Sequence, residues 1–302
     1  MKATVIHRYG GPEEFTYEDV PDPVAGPGEV LVKVAAAGIN PVDMQERTGA
    51  TKDWRPLQFP AVLGWDVSGT VVKLGDGVRG LAVGDTVCAW AYHTYAELCA
   101  DKADLFAKIP EGLDVVDAAA LPLVALTGSQ LISSASGLKS GDTVIVSGAA
   151  GGVGRSAVYM AKKMGATVMA GVLKRQLGRA DGIGADRLVA LDDAAAFAEL
   201  PRVDIVANAV RGETASKLMS KLKDGGTFAS VTGEPGNVSD YPAVRVVSFV
   251  SAQDVVMLRS LLEAVRDKQL TIPIDRRIPL REAGAGHAAV ERGGIGKVLL
   301  LP

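Results

Sequence analysis

Cysteine is scarce in this chain. Cys88 and Cys99 are the two cysteines in 302 residues, too few for a disulfide framework, so a cytoplasmic, reducing compartment is expected. Histidine is scarce as well: His7, His93 and His287 are few for a zinc centre that draws three or four protein ligands. Although 48% of the residues are hydrophobic, no uninterrupted apolar run is long enough to suggest a bilayer span. The opening stretch MKATVIHRYGGPEEF has no apolar core and carries acids early, which excludes a secretory signal. An excess of one charge is also missing. A net charge of −3 and 5% aromatics give no basic, aromatic surface, so no nucleic-acid partner and no membrane partner is expected.

Short strand-like runs separated by Gly, Pro and Asp clusters fill the first third. ATVIH, EVLVKVAAAGI, VSGTVVKLG and DTVCAWA read as a mostly β region. From about Asp114 to Val250, apolar runs alternate with helical periodicity, as in a parallel sheet covered on both faces. The last part holds a long amphipathic helix in SAQDVVMLRSLLEAVRDKQL, a proline-marked TIPIDRRIPL and a terminal strand, KVLLLP. A terminal strand after a helical middle suggests that the chain end rejoins the first region.

Glycine supplies the sharpest signal. The stretch SGAAGGVGRS, 147–156, lies between the strand DTVIV and the helix AVYMAKKMGA. A tight strand-to-helix turn uses small residues so that the chain can turn, a pyrophosphate can approach the backbone, and helix and strand can pack closely. The phosphates then meet the unpaired N–H groups of the helix. Read as G-x-G-x-x-G, the stretch is Ala149, Gly151 and Gly154, with alanine in the first place. A plain packing turn is the competing reading. The next strand, ATVMAGV, ends in Leu173, Lys174, Arg175 and Gln176, with no acid before Asp181. An acid there would suit a ribose 2′-hydroxyl; two cations suit a 2′-phosphate and point to NADPH. A solvated basic turn is the alternative.

From end to end the chain resembles the zinc-independent branch of the medium-chain dehydrogenase/reductase superfamily, the quinone oxidoreductase (zeta-crystallin-like) group. The resemblance rests on GPEEFTYEDVPDPVAGPGEVLVKVAAAGINPVD, FPAVLGWDVSGTVVKLGDGV, AAALPLVALTG, LKSGDTVIVSGAAGGVG and GKVLLLP, among others. It implies an α/β protein in which a doubly wound parallel sheet (Rossmann domain, 121–251) is inserted into a GroES-like mostly-β domain (1–120 and 252–302), with the active site in the cleft between them. The A-x-G-G-V-G form of the turn is typical of that branch. The resemblance also implies site residues. Asn40, Pro41, Val42 and Asp43 would lie near the nicotinamide end, and Thr127 near its carboxamide. Ala150, Gly151, Gly152 and Val153 would take the pyrophosphate, and Lys174 and Arg175 the 2′-phosphate. Asn208, Val210, Thr232 and Gly233 would pass beside the nicotinamide ribose, with Phe249 and Val250 flanking the ring. Gly296 and Lys297 would close the site. A homodimer joined through edge strands of the cofactor domain is the family expectation.

Two departures bear on the acceptor. VDMQERTG has Gln45 where the branch often has a tyrosine, and ATKDWRPLQ has Trp54 in place of a second one. For metal, Gly64-Trp65-Asp66 replaces the GHE of the zinc enzymes, and the early cysteine and the structural zinc lobe are absent. Cys88, His93 and Cys99 match no common ligand spacing, and His7 and His287 read as structural or solvated. The chemistry is then that of a reduced nicotinamide delivering hydride to an electron-poor, small-molecule acceptor. A quinone is the first expectation, and an enal, enone or enoyl thioester the second. Asn40, Gln45 and Thr127 are the candidate polar groups facing it. Asp43 is equally explained by an Asx turn, and Trp54 and Trp65 by stacking on a flat acceptor or by the core. A protein that binds NADPH with little turnover is the reading from a different class.

Overall fold

The computed structural model describes residues 1–293 and 296–302. They form two compact units: Met1–Leu123, Gln253–Asp267 and Ile272–Pro302 make the first, and Val124–Ala252 with Lys268–Thr271 the second. The division falls after Leu123, whose N–H is held by the Asp66 carboxylate of the first unit at 2.8 Å.

The first unit is mostly strand. β1 (Lys2–Ile6) lies between β2 (Phe15–Asp19) and β4 (Ala61–Val62). The larger sheet is built from β3 (Glu29–Gly38), β5 (Asp66–Leu74), β6 (Thr86–Trp90), β7 (Leu98–Lys102), β8 (Ala107–Lys108), β15 (Ile274–Pro279) and β16 (Lys297–Leu301). Its order is β15-β16-β3-β5-β6-β8, with β7 also paired to β3. The terminal strand β16 therefore sits against β3, Leu299 opposite Gly38. The proline-marked TIPIDRRIPL, given no strand by its pattern, supplies β15. Its parallel pairing with β16 overrides two prolines, because an edge strand tolerates them. Inside this sheet Val30, Val32, Val67, Val71, Val87 and Phe106 pack together, each about 1% exposed or less. Every such side chain stabilises the fold by about 1.5–3 kcal/mol through burial.

Helix α1 (Pro41–Thr48) follows β3 at once. Proline at its first position has no N–H to waste, and Gly49 ends it at φ 78°, where a side chain would be strained. The other helices of this unit are α2 (Val115–Ala118), α7 (Val255–Arg266) and α8 (Ala283–Arg292). Asp254 starts α7 by accepting the Met257 N–H at 2.8 Å.

The second unit holds α3 (Pro122–Gln130, entered before the division), β9 (Thr143–Ser147), α4 (Gly152–Lys163), β10 (Thr167–Val172), β11 (Arg187–Ala190), α5 (Ala194–Ala198), β12 (Val203–Asn208), α6 (Glu213–Leu218), β13 (Leu222–Ser230) and β14 (Arg245–Ser248). The strands run parallel in the order β11-β10-β9-β12-β13-β14, the doubly wound order of dinucleotide-binding sheets. Alternation within each strand divides the core between the faces. Val144 and Val146 join Ala157, Val158 and Ala161 of α4 on one side. Ile145 joins Leu218 of α6 on the other. One expected helix is missing: after β10 the chain makes a short 3₁₀ stretch, Lys174–Arg179, because Gly178 and the following Asp181-Gly182 interrupt the pattern.

A buried polar chain ties α1 to α8. The Arg47 guanidinium can only donate, so His287 Nδ1 accepts from it at 3.1 Å. The ring proton is then on Nε2, facing the Tyr95 oxygen at 3.1 Å, and the Tyr95 O–H donates to Asp43 Oδ2 at 2.8 Å. Burial, with Arg47 alongside, holds His287 down to about 3. Unfolded histidine gains a proton below about pH 6.5 while the folded ring refuses it. Stability therefore falls as pH drops from 6.5 towards 3, at up to about 1.4 kcal/mol per pH unit. His287→Gln keeps one acceptor and one donor without the titration, so urea midpoints between pH 7 and 4 should slope less steeply in that variant than in the wild type.

Candidate active site

The glycine stretch forms the turn from β9 into α4. Gly148 makes the reversal at φ 66°, which explains the alanine after it. Ala149 need not adopt a left-handed backbone; it is fully buried and donates its N–H to Gly171 O at 3.0 Å. Gly154 lies so close that a Cβ would overlap the Gly148 carbonyl oxygen and come 2.6 Å from Ala149 Cα. Gly151 is different. Its Cβ would meet only Gly148 O, at 3.5 Å, so the space above the turn is open. No side chain caps α4, which leaves its first N–H groups for an anion. These features fit a dinucleotide pyrophosphate.

Helix α3 is pressed onto this helix start. A Cβ on Gly128 would overlap Val153 O, and one on Gly152 would lie 2.8 Å from Val124 Cγ2. That contact brings Thr127 beside the turn. Its hydroxyl is 2.8 Å from the Ser251 hydroxyl, and Gln130 grips Ala252 by two 2.9 Å hydrogen bonds. At the ends of the neighbouring strands, Asn208 is a buried hub. Its Oδ1 accepts from Ser147 Oγ at 2.7 Å. Its Nδ2 donates to Val210 O at 2.8 Å and approaches Ser230 Oγ and Thr232 Oγ1 at 3.0 and 3.1 Å. The expected place of Asn208 on the ribose path is thus corrected to a positioning one: its amide is spent inside the unit, shaping the loops that carry Val210, Thr232 and Gly233. Those three line a cavity of about 220 Å³ with Arg211 and Glu234. Phe249 is half-buried against the core and Val250 is 90% exposed.

Lys174 and Arg175 are exposed at the end of β10. Lys174 is not free: its ammonium pairs with Asp193 at 2.9 Å.

In the first unit, Asn40 precedes α1 and is fully buried. Its Nδ2 donates to Asp66 Oδ2 at 2.8 Å and to Gly38 O at 3.3 Å, which uses both amide hydrogens. Lys297 Nζ donates to Asn40 Oδ1 and Asp66 Oδ2, each at 2.7 Å, and to Ile39 O at 3.2 Å. Asn40 was expected to face the acceptor with a free donor. The structure corrects this, because Asp66 and the Gly38 carbonyl claim both of its amide hydrogens. Asp43 is corrected too. Its fully buried Oδ2 accepts the Asn40 N–H at 2.7 Å as a cap of α1, neither an Asx turn nor a cofactor contact. Burial pushes its carboxyl group well above the usual range, against the pull of those hydrogen bonds.

The comparisons with known proteins agree with this geometry. Residues 26–112 match the alcohol dehydrogenase GroES-like domain, and residues 183–300 match the model described as zinc-binding dehydrogenase. A 2-methylene-furan-3-one reductase of Solanum lycopersicum is 33% identical over 90% of this chain and 72% of its own. A quinone oxidoreductase structure from Coxiella burnetii superposes with a TM-score of 0.89 at 29% identity, covering 100% of this chain and 99% of the other. A mycobacterial protein solved in complex with NADPH gives 0.86 at 30% identity, with both chains fully covered.

The chain belongs to the medium-chain dehydrogenase/reductase superfamily, in its quinone oxidoreductase branch. It is an NAD(P)H-dependent oxidoreductase with a GroES-like and a Rossmann domain. Where zinc members of the superfamily place GHE, this member has Trp65 buried and Asp66 paired with Lys297. Among the described residues no cluster of three His, Cys, Asp or Glu side chains could hold a metal ion. Burial pushes both thiols up, Cys99 to about 12. The aromatic side chains divide. Trp54 is 64% exposed. Trp65 donates Nε1–H to Glu46 Oε2 at 2.8 Å and stacks on Trp90, ring centres 5.6 Å apart. Trp90 went unnoticed in the sequence, where it is one aromatic in a strand. Its buried Nε1–H has no acceptor among the described residues. Asp66 was legible only as a lone acid inside the apolar LGWDVSGTVV. Gln45 is half-buried in α1.

Proposed function

We propose that the protein is an NADPH-dependent, metal-independent reductase of electron-poor carbonyl acceptors, with quinones first among them. The observation that carries this reading is the uncapped start of α4 behind a glycine-built turn, with Lys174 and Arg175 at the end of the next strand. The turn residues Ala150, Gly151, Gly152 and Val153 would hold the pyrophosphate. The two cations would meet the 2′-phosphate through charge-assisted hydrogen bonds. Thr127 and Ser251 share one hydrogen bond, so one of their hydroxyl protons is left to donate to a carboxamide. Phe249 and Val250 would flank the ring.

A reduced nicotinamide, when bound, supplies a hydride. The acceptor's carbonyl oxygen then gains negative charge and needs a donor, which this chain must provide without a metal. Asn40 and Lys297 have none to spare. Gln45 and Trp90 do, and they are the donors proposed here, with the Trp65–Trp90 stack as the flat wall beside the acceptor. The proton that completes the reduction comes from water. An unactivated alcohol is a poor substrate because nothing in this set removes its proton.

The reading of an enal or enone as acceptor is favoured by one observation, the Gln45 that stands in place of a tyrosine. The tomato relative is named a 2-methylene-furan-3-one reductase, and a 2-methylene-furan-3-one is an enone. We further propose a homodimer joined through an edge of the parallel sheet, and a cytoplasmic location. No helix among the described residues is long and apolar enough to cross a membrane.

The test is an acceptor panel. NADPH oxidation is followed optically with ortho- and para-quinones, cyclohex-2-enone, a 2-alkenal and an enoyl thioester, with and without EDTA. Turnover with a quinone or enone that EDTA leaves unchanged is expected. Loss of activity in EDTA, or good oxidation of a simple alcohol, would remove the metal-independent reading. NADPH binding without consumption across the whole panel would mark a binding protein instead.

A further inference from the structure

In the sequence the end of β10 looks purely cationic. In the fold it is not. Parallel pairing sets Val172 opposite Ala190, and the turn after β11 brings two carboxylates onto the segment after β10. The Lys174 backbone N–H donates to Asp192 Oδ1 at 2.6 Å, and the Lys174 ammonium to Asp193 Oδ2 at 2.9 Å. Asp193 is fixed in turn, since its Oδ1 accepts the Ala195 and Ala196 N–H groups at 3.1 Å and starts α5. Arg175 is exposed and has no ion-pair partner among the described residues. Two cations and two carboxylates thus share one corner, with no net charge.

This corner decides which ribose the protein accepts. A 2′-phosphate is drawn by Lys174 and Arg175 but repelled by the acids beside them. A free 2′-hydroxyl can donate to a carboxylate placed at the end of the second strand, and Asp192 lies within hydrogen-bond distance of Lys174, the second residue after that strand. We propose that Asp192 and Asp193 are specificity-determining residues that limit the preference for NADPH, so that the protein takes NADH as well. Asp193 acts by neutralising and holding Lys174, and Asp192 by offering the hydroxyl acceptor. The inference rests on the reading that a dinucleotide docks at the turn into α4.

The variants Asp192→Asn and Asp193→Asn each keep one oxygen, enough for the Lys174 N–H and the α5 cap, and replace the other by an NH2 group that neither pairs with an ammonium nor accepts from a hydroxyl. Dissociation constants of NADPH and NADH are measured by nicotinamide fluorescence, and those of 2′,5′-ADP and 5′-AMP by calorimetry, for the wild type, both variants and the double variant. In the wild type the two coenzymes are expected to differ by about tenfold or less. In the double variant the NADPH preference should rise by roughly tenfold or more. Unchanged ratios in all variants would overturn the inference. So would a wild-type preference for 2′,5′-ADP over 5′-AMP beyond about a hundredfold, a result that needs no variant to fold. A wild type that binds neither coenzyme nor fragment would overturn the dinucleotide reading itself.

Discussion

Gly154→Ala is expected to lower NADPH affinity by about a hundredfold or more, the cost of moving a binding group by roughly 1 Å. The obstacles to a side chain there are backbone: the Gly148 carbonyl oxygen and Ala149 Cα, the latter 2.6 Å from the added carbon. Neither can rotate aside as a side-chain tip could. Either the turn or the first turn of α4 must shift, and both carry the N–H groups proposed to meet the pyrophosphate. Gly178→Ala is the control, because a Cβ there has nothing within 4 Å. Fluorescence titration of both variants, with circular dichroism to show that they fold, decides the matter. Wild-type affinity in Gly154→Ala would mean that this close packing does not position the phosphate site.

The second large effect is expected from the buried ion pair of the first unit. Asp66 is fully buried and Lys297 is 7% exposed. Lys297→Met leaves the Asp66 carboxylate with the Asn40 amide and the Leu123 N–H but no cation. Removing one partner of a buried pair costs about 3–5 kcal/mol. Replacing both partners with apolar groups costs less, because no uncompensated charge is left. Urea unfolding should therefore show Asp66→Leu with Lys297→Met to be more stable than Lys297→Met alone. Additive losses would mean that the two groups are not energetically coupled. Turnover should fall in the single variant as well, since Asn40 loses the contact that fixes its carbonyl oxygen.

Much of the fold was legible in the sequence because its signals are local. DTVIV followed by SGAAGGVG can turn and pack in few ways. Gly154 there marks a backbone approach that a side chain would block, and apolar alternation marked the parallel strands. Where local reading failed, a distant partner overrode it. TIPIDRRIPL became a strand because β16 lies beside it.

Site residues were less legible for the same reason. Asn40 and Asn208 were named through the family resemblance, and a sequence does not say where an amide spends its hydrogens. Their partners, Lys297 and Asp66 for one and Ser147 and Ser230 for the other, arrive from strands far away along the chain. Trp90 became a candidate only when its N–H proved to have no acceptor.

By itself the sequence determined the family, the strand-to-helix phosphate turn and the absence of a cysteine and histidine set suited to zinc, since each of these is written in residue type and short-range spacing. Only the tertiary structure decided which side chains keep unspent donors and what charge surrounds the segment after β10. Hydrogen-bond satisfaction and Coulomb balance are sums over neighbours in space, and the parallel pairing that brings Asp192 and Asp193 onto Lys174 joins residues that the chain itself keeps apart.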